Sequence, residues 1–147
     1  MIFLSFNLCG FGGPTKTTTL KLLLNQVNLD VVFLQEKLVD AQKAKTLFLH
    51  FLSKWDVVSL NPNGRLGGIL SGWNPSYAEF CAYGTSAGIL LEGKFKQSVG
   101  RYKLLNCYAP YKDKELFWQP IIDSGLLCKE GLIVGGDLKF TLIDREV

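Results

Sequence analysis

Four polar residues stand at the ends of apolar runs in this chain. "MIFLSFNL" carries Asn7, "LDVVFLQE" ends in Glu36, "LLNCYAPY" carries Tyr108, and "GLIVGGD" ends in Asp137. An ionised carboxylate that leaves bulk water must find donors or a cation, so an acid at the end of a buried strand points to partners. Glu36 and Asp137 supply hard oxygens of the kind Mg²⁺ accepts, an ion that keeps several waters and takes one or two protein carboxylates. Asn7 and Tyr108 can each donate a neutral hydrogen bond to a phosphate oxygen. The chemistry this set could support is metal-assisted attack at phosphate. The same residue types also fit a structural account, with Asn7 and Glu36 capping turns or helices and Tyr108 packed as a core aromatic. Residue identity leaves both open.

Other candidates are weaker. "GFGGPTKT" follows an apolar run and precedes a helical one, like a phosphate-cradling loop, but the motif needs glycine directly before lysine, where Thr15 stands. Pro14 also removes one of the backbone N–H groups such a loop uses. Cys9, Cys81, Cys107 and Cys128 have wide spacings and apolar neighbours, which excludes a Cys-x-x-Cys zinc or redox motif and predicts small buried hydrophobes in a reducing compartment. His50 has no companion histidine and reads as a packed or half-exposed residue rather than a ligand.

The elements that would position the four residues follow from periodicity. "MIFLSFNL" reads as a strand, "TKTTTLKLLLNQVN" as a helix with Thr15 as its cap, and "LDVVFLQE" as a strand covered on both faces. That order implies a right-handed parallel crossover. A second helix is expected over 40–53, then short runs at hairpin spacing from "WDVVSLNP" to "GRYKLLNCYAP", which predict antiparallel strands. "DKELFWQPIIDSGLLCKE" returns to helical spacing and "GLIVGGD" to a buried strand. The expected fold is a layered α/β sandwich of mixed sheets flanked by helices, in which loops at the carboxyl ends of parallel strands share one crevice.

Composition agrees with a folded domain. The chain has 147 residues, 48% hydrophobic and 20% charged, with a net charge of +3. That length fits one domain able to bury roughly 70% of its unfolded surface. The apolar content excludes a disordered chain. The mild positive charge is compatible with a polyanionic partner without requiring one. No run reaches the roughly 18 apolar residues of a membrane span, and the apolar start lacks a basic flank, so an intracellular protein is expected.

The motifs, taken in order, resemble the endonuclease/exonuclease/phosphatase superfamily. "FLSFNLCGFGGPTKTTTLKLLLNQVNLDVVFLQEKL" is similar to its opening, "NGRLGGILSGWN" to its glycine-glycine strand, "LLNCYAPY" to its tyrosine strand and "LIVGGDLKF" to its Gly-Asp-x-Asn strand. The texture most resembles the apurinic-endonuclease-like domain of LINE-type retrotransposons. The resemblance implies a Mg²⁺- or Mn²⁺-dependent phosphodiesterase with DNA as partner, nuclear if derived from a retroelement. It implies Glu36 as metal ligand, Asp137 as the water-orienting base, and Asn7 and Tyr108 as phosphate donors. Two departures qualify this. Lys139 stands where the family has asparagine, and the family's later Asp-His segment has no counterpart before Val147, His50 lying on the wrong element. The expectation is therefore a single incomplete domain over 1–147 that does not turn over alone. The alternative is a non-catalytic remnant, at most a weak nucleic-acid-binding or interaction module, and on either reading self-association through an uncovered sheet edge is expected.

Overall fold

A computed structural model describes residues 1–10, 13–61 and 67–139. Part of the glycine-rich turn, the residues just before Gly67, and the segment from Phe140 on lie outside the described residues. Along the chain run β1 (Phe3–Asn7), α1 (Pro14–Gln26), β2 (Val31–Gln35), α2 (Ala41–Phe51), β3 (Asp56–Leu60), β4 (Ile69–Trp73), β5 (Ala78–Gly84), β6 (Gly88–Phe95), β7 (Tyr102–Tyr108), α3 (Lys114–Asp123) and β8 (Leu132–Asp137), with a short 3₁₀ turn at Leu126–Cys128 before β8.

The strands form two four-stranded sheets, ordered β1-β2-β4-β3 and β5-β6-β7-β8. Both are mixed. β1 pairs with β2 in parallel and β7 with β8 in parallel, while the remaining neighbours are antiparallel. The expected crossover and hairpin set are therefore both present.

The unalternating sequence of β2 is explained by what lies on each side of it. Val31 and Phe33 point into a core between the sheets with Ile89, Leu91 and Leu104, while Val32 and Leu34 point into a second core with Leu20 and Leu24 of α1 and Phe48 of α2. β7 repeats the pattern from the other sheet, as Leu105 and Cys107 face Trp118 and Ile121 of α3. The result is a helix–sheet–sheet–helix sandwich whose two central strands are buried on both faces. β5 borders only one core and alternates: Glu79, Cys81 and Tyr83 are exposed while Phe80 and Ala82 pack inward.

Close approach fixes α2 on its sheet. A methyl group on Gly72 would lie 2.5 Å from Cζ of Phe48, so the ring rests directly on the β4 backbone. Gly72→Ala is expected to destabilise the chain by about 1–3 kcal/mol through overpacking, read as a lower urea midpoint at unchanged slope.

Three sequence expectations need correction. β8 is not a buried strand: among the described residues it lies at the edge of its sheet and is partly exposed at every residue. The N-cap of α1 is Gly13, not Thr15, with Pro14 in the first turn. Proline's fixed φ suits that position, so the helix begins before the residue whose side chain could have capped it. Of the four cysteines only Cys107 is buried, its thiol pKa pushed up to about 12 by desolvation, whereas Cys9, Cys81 and Cys128 are exposed. Apolar sequence neighbours did not bury them because Cys81 lies on the outer face of β5, Cys9 in the turn after β1, and Cys128 in the 3₁₀ turn.

Candidate functional site

The ends of β1, β2 and β4 in one sheet and of β7 and β8 in the other meet at one edge of the sandwich. Backbone bonds hold the first group together: Leu8 N donates to Gln35 O at 2.9 Å, Gly10 N to Glu36 O at 2.7 Å, and Lys37 N to Gly68 O at 3.1 Å. Gly67 is required here because a Cβ at that position would come 2.9 Å from Cα of Glu36. In the second sheet Tyr108 is the register partner of Asp137, and Ala109 N donates to Asp137 O at 2.8 Å.

From these positions two side-chain hydrogen bonds cross between the sheets. Asn7 Nδ2 donates to Asp137 Oδ2 at 3.0 Å, and the Tyr108 hydroxyl donates to Glu36 Oε1. All four residues singled out in the sequence thus share one pocket. Part of the structural alternative also holds. Asn7 Oδ1 accepts from Cys9 N at 3.0 Å, closing the turn after β1, and the Tyr108 ring packs in the inter-sheet core at 8% exposure. Glu36 caps no helix; the N-cap of α2 is Asp40.

Non-glycine residues with left-handed backbone cluster here: Cys9 (φ 46°), Glu36 (φ 52°), Leu38 (φ 52°) and Lys139 (φ 52°). Such conformations cost of order 1 kcal/mol each and persist where surrounding contacts enforce them, a pattern that concentrates at ligand sites.

Charge in the pocket is arranged around Glu36. The Tyr108 hydroxyl, helped by Cys9 and Asn7 and by the Lys139 charge, outweighs partial burial and holds the Glu36 carboxyl below the ordinary glutamate range. Tyr108 responds in the opposite sense, driven up by burial and by the Glu36 carboxylate. Because the folded pKa of Glu36 is depressed, its contribution to stability is present above the unfolded value and lost as pH falls through the folded one. Tyr108→Phe is expected to raise the Glu36 pKa and reduce that acid sensitivity. Carboxyl-detected NMR titration reads it directly, and an unchanged Glu36 pKa would contradict the hydrogen bond as its main cause.

Lys139 is the residue whose contacts the sequence did not disclose. Its ammonium forms an ion pair with Asp137 Oδ2, donates to Tyr111 Oη at 3.0 Å, and lies 4.2 Å and 5.4 Å from the ring centroids of Tyr111 and Tyr108. Burial disfavours its charge, but the bonds to Asp137 and Tyr111 prevail and its pKa is raised. Lys16 and Lys114 also reach backbone carbonyls at the rim, at Cys9 and Lys139. Beside Tyr108 a cleft of about 310 Å³ opens, lined by Leu60, Gly67, Gly68, Thr85, Ala87 and Gly88.

A second polar cluster lies deeper. Gln35 Nε2 donates to Asn106 Oδ1 at 2.8 Å, and Asn106 Nδ2 donates to Leu70 O at 2.9 Å and Ser71 Oγ at 3.1 Å. It joins the sheets one residue before Glu36 and two before Tyr108. The signal was an amide inside an otherwise apolar strand, which is costly unless paired.

Among the described residues no group of three or more His, Cys, Asp or Glu side chains converges, so a soft-metal cage is not present there. An ionised Glu36 can supply the single carboxylate magnesium takes from protein, its remaining ligands being water and phosphate oxygens, although the Lys139 charge also acts on that carboxylate. Among the described residues no helix is long and apolar enough to cross a membrane.

No family profile matches the chain, and no curated protein does. Solved structures do. TDP2 from Caenorhabditis elegans aligns over 98% of this chain and 48% of its own at 20% identity and a TM-score of 0.59. A humanized D. rerio TDP2 aligns over 98% and 68% at 15% identity with a TM-score of 0.72. The endonuclease domain of TRAS1, a telomere-specific non-LTR retrotransposon, aligns over 95% and 61% at 12% identity with a TM-score of 0.64. The chain spans about half to two thirds of the length of these structures. All three are members of one superfamily, and the shared architecture extends over nearly every element described above. The chain has the fold of the endonuclease/exonuclease/phosphatase superfamily.

Proposed function

We propose that this chain is a phosphodiesterase-type domain of retroelement-endonuclease origin, acting in the nucleus on DNA, that engages a divalent ion and a backbone phosphate but does not turn over by itself. The observation that carries the reading is the pair of inter-sheet hydrogen bonds, Asn7 to Asp137 and Tyr108 to Glu36, which bring two carboxylates and two neutral donors into one pocket. Glu36 is the residue that would hold Mg²⁺ or Mn²⁺, and the ion would neutralise charge developing on the phosphate. Asn7 Nδ2 and the Tyr108 hydroxyl are the neutral groups able to turn toward phosphate oxygens. Asp137 is the carboxylate that would orient a water in this reading, yet its Oδ2 already accepts from Asn7 and pairs with Lys139. Those two contacts must be given up before that oxygen can hold a water, which supports binding without turnover.

A duplex oligonucleotide with a central abasic site tests both parts. Fluorescence anisotropy should show binding that Mg²⁺ strengthens and EDTA weakens, with no nicking above the buffer rate on a denaturing gel. Cleavage by the chain that disappears in Asp137→Ala would overturn the no-turnover reading. Equal affinity with Mg²⁺ and EDTA would overturn the metal reading.

A further inference from the structure

The strongest unassigned feature is the set of contacts gathered on one ammonium. Lys139 reaches a carboxylate, a phenol oxygen and two aromatic faces, and its side chain is only 12% exposed. Its backbone is held in the left-handed region, and Lys114 Nζ bonds its carbonyl at 2.5 Å. A flexible lysine at a rim would normally keep its ammonium in water. Here the strand end bends instead to bring the charge back over Asp137, two residues earlier. Carboxylate, hydroxyl and π-face are the groups that receive cations, so β7, β8 and the segment after β7 together form a cation cage filled by the chain's own lysine.

We propose that Lys139 is a built-in competitor of the divalent ion: the Lys139–Asp137 ion pair and a metal at the Glu36 pocket exclude one another, so metal affinity is set by how readily Lys139 leaves. The inference rests on the reading of Glu36 as metal ligand. The pocket offers two carboxylates, and the ammonium already neutralises one of them. A divalent ion arriving beside Glu36 meets the Lys139 charge, which already acts on the Glu36 carboxyl, in a partly desolvated site where such repulsion is much stronger than in water. Loading the ion requires Lys139 to swing out and Asp137 to be freed, and the two events are linked.

Calorimetric titration of the chain with Mn²⁺, alongside melting curves with and without the ion, reads the competition without any turnover. Lys139→Asn and Lys139→Met remove the charge and should bind Mn²⁺ roughly tenfold or more tightly, whereas Lys139→Arg keeps the charge and should match the parent. Asparagine also tolerates the left-handed backbone better than lysine, so the metal-induced rise in Tm is compared rather than Tm itself. Identical isotherms for all four chains, with binding lost in Glu36→Gln, would overturn the competition and leave the metal reading standing. No Mn²⁺ binding by any of the four would overturn both.

Discussion

Glu36→Gln is expected to abolish the stabilisation that Mg²⁺ or Mn²⁺ gives the chain, in addition to the smaller, pH-dependent stability the carboxylate gives the metal-free protein. Glutamine has the same length and keeps an oxygen able to accept the Tyr108 hydroxyl, so the inter-sheet hydrogen bond and the left-handed backbone at position 36 survive. Only the negative charge is removed. Magnesium binds carboxylates with strong preference over amides, and the neighbouring carboxylate, Asp137, is occupied by Asn7 and Lys139. A ligand that binds only the folded state at a hundredfold excess over its Kd stabilises by about 2.7 kcal/mol, and all of that increment should vanish. Differential scanning fluorimetry across a metal series is sufficient. An equal shift in parent and variant would place the ion elsewhere.

Asn106→Leu is expected to cost more than any other single change away from the pocket, roughly 3–9 kcal/mol, at one to three for each of the three buried polar groups it strands. The leucine would face the Gln35 amide, the Ser71 hydroxyl and the Leu70 carbonyl, all in the seam between sheets where water is excluded. Gln35 retains only a longer bond to Ser5 Oγ at 3.3 Å. The double variant Gln35→Leu/Asn106→Leu should lose less than the sum of its parts, because the second change removes a group the first had stranded. Urea unfolding of the four-member cycle measures this coupling. Additive losses would mean the two amides are not partners in solution. The cluster lies one residue from Glu36 and two from Tyr108, so its loss should also loosen the contact between them.

How much of this was legible in the sequence depends on the range of the interaction involved. β2 was recognisable because a strand buried on both faces has no room for alternation, and Val31 to Leu34 show none, whereas β7 was recognisable only by hairpin spacing. The crossover and the hairpins followed from local punctuation. The convergence of Asn7, Glu36, Tyr108 and Asp137 was inferable from their shared position at strand ends, since a sheet gathers such ends whatever the intervening chain does. Pairwise choices made across the seam were not inferable. Nothing local shows that Lys139 turns back onto Asp137, or that Gln35 and Asn106, 71 positions apart, meet. The start of α1 was missed for a local reason: a proline at the first turn outcompetes a threonine cap, and the preceding glycine takes the cap position. The exposed cysteines show the same limit, because apolar neighbours in sequence say little about which face of a strand a thiol occupies.

The central claim is that Glu36 and the three groups around it form a single divalent-ion site, and paramagnetic relaxation by Mn²⁺ tests it most directly. In a ¹⁵N-labelled sample, substoichiometric Mn²⁺ should broaden the Asn7 side-chain amide and the backbone amides of Cys9, Glu36 and Asp137 first. Those of Asp56 in β3 and Gln119 in α3, which take no part in the site, should remain sharp. Broadening centred on the surface carboxylate of Glu79, or spread evenly over the acidic side chains with Asn7 unaffected, would contradict the account.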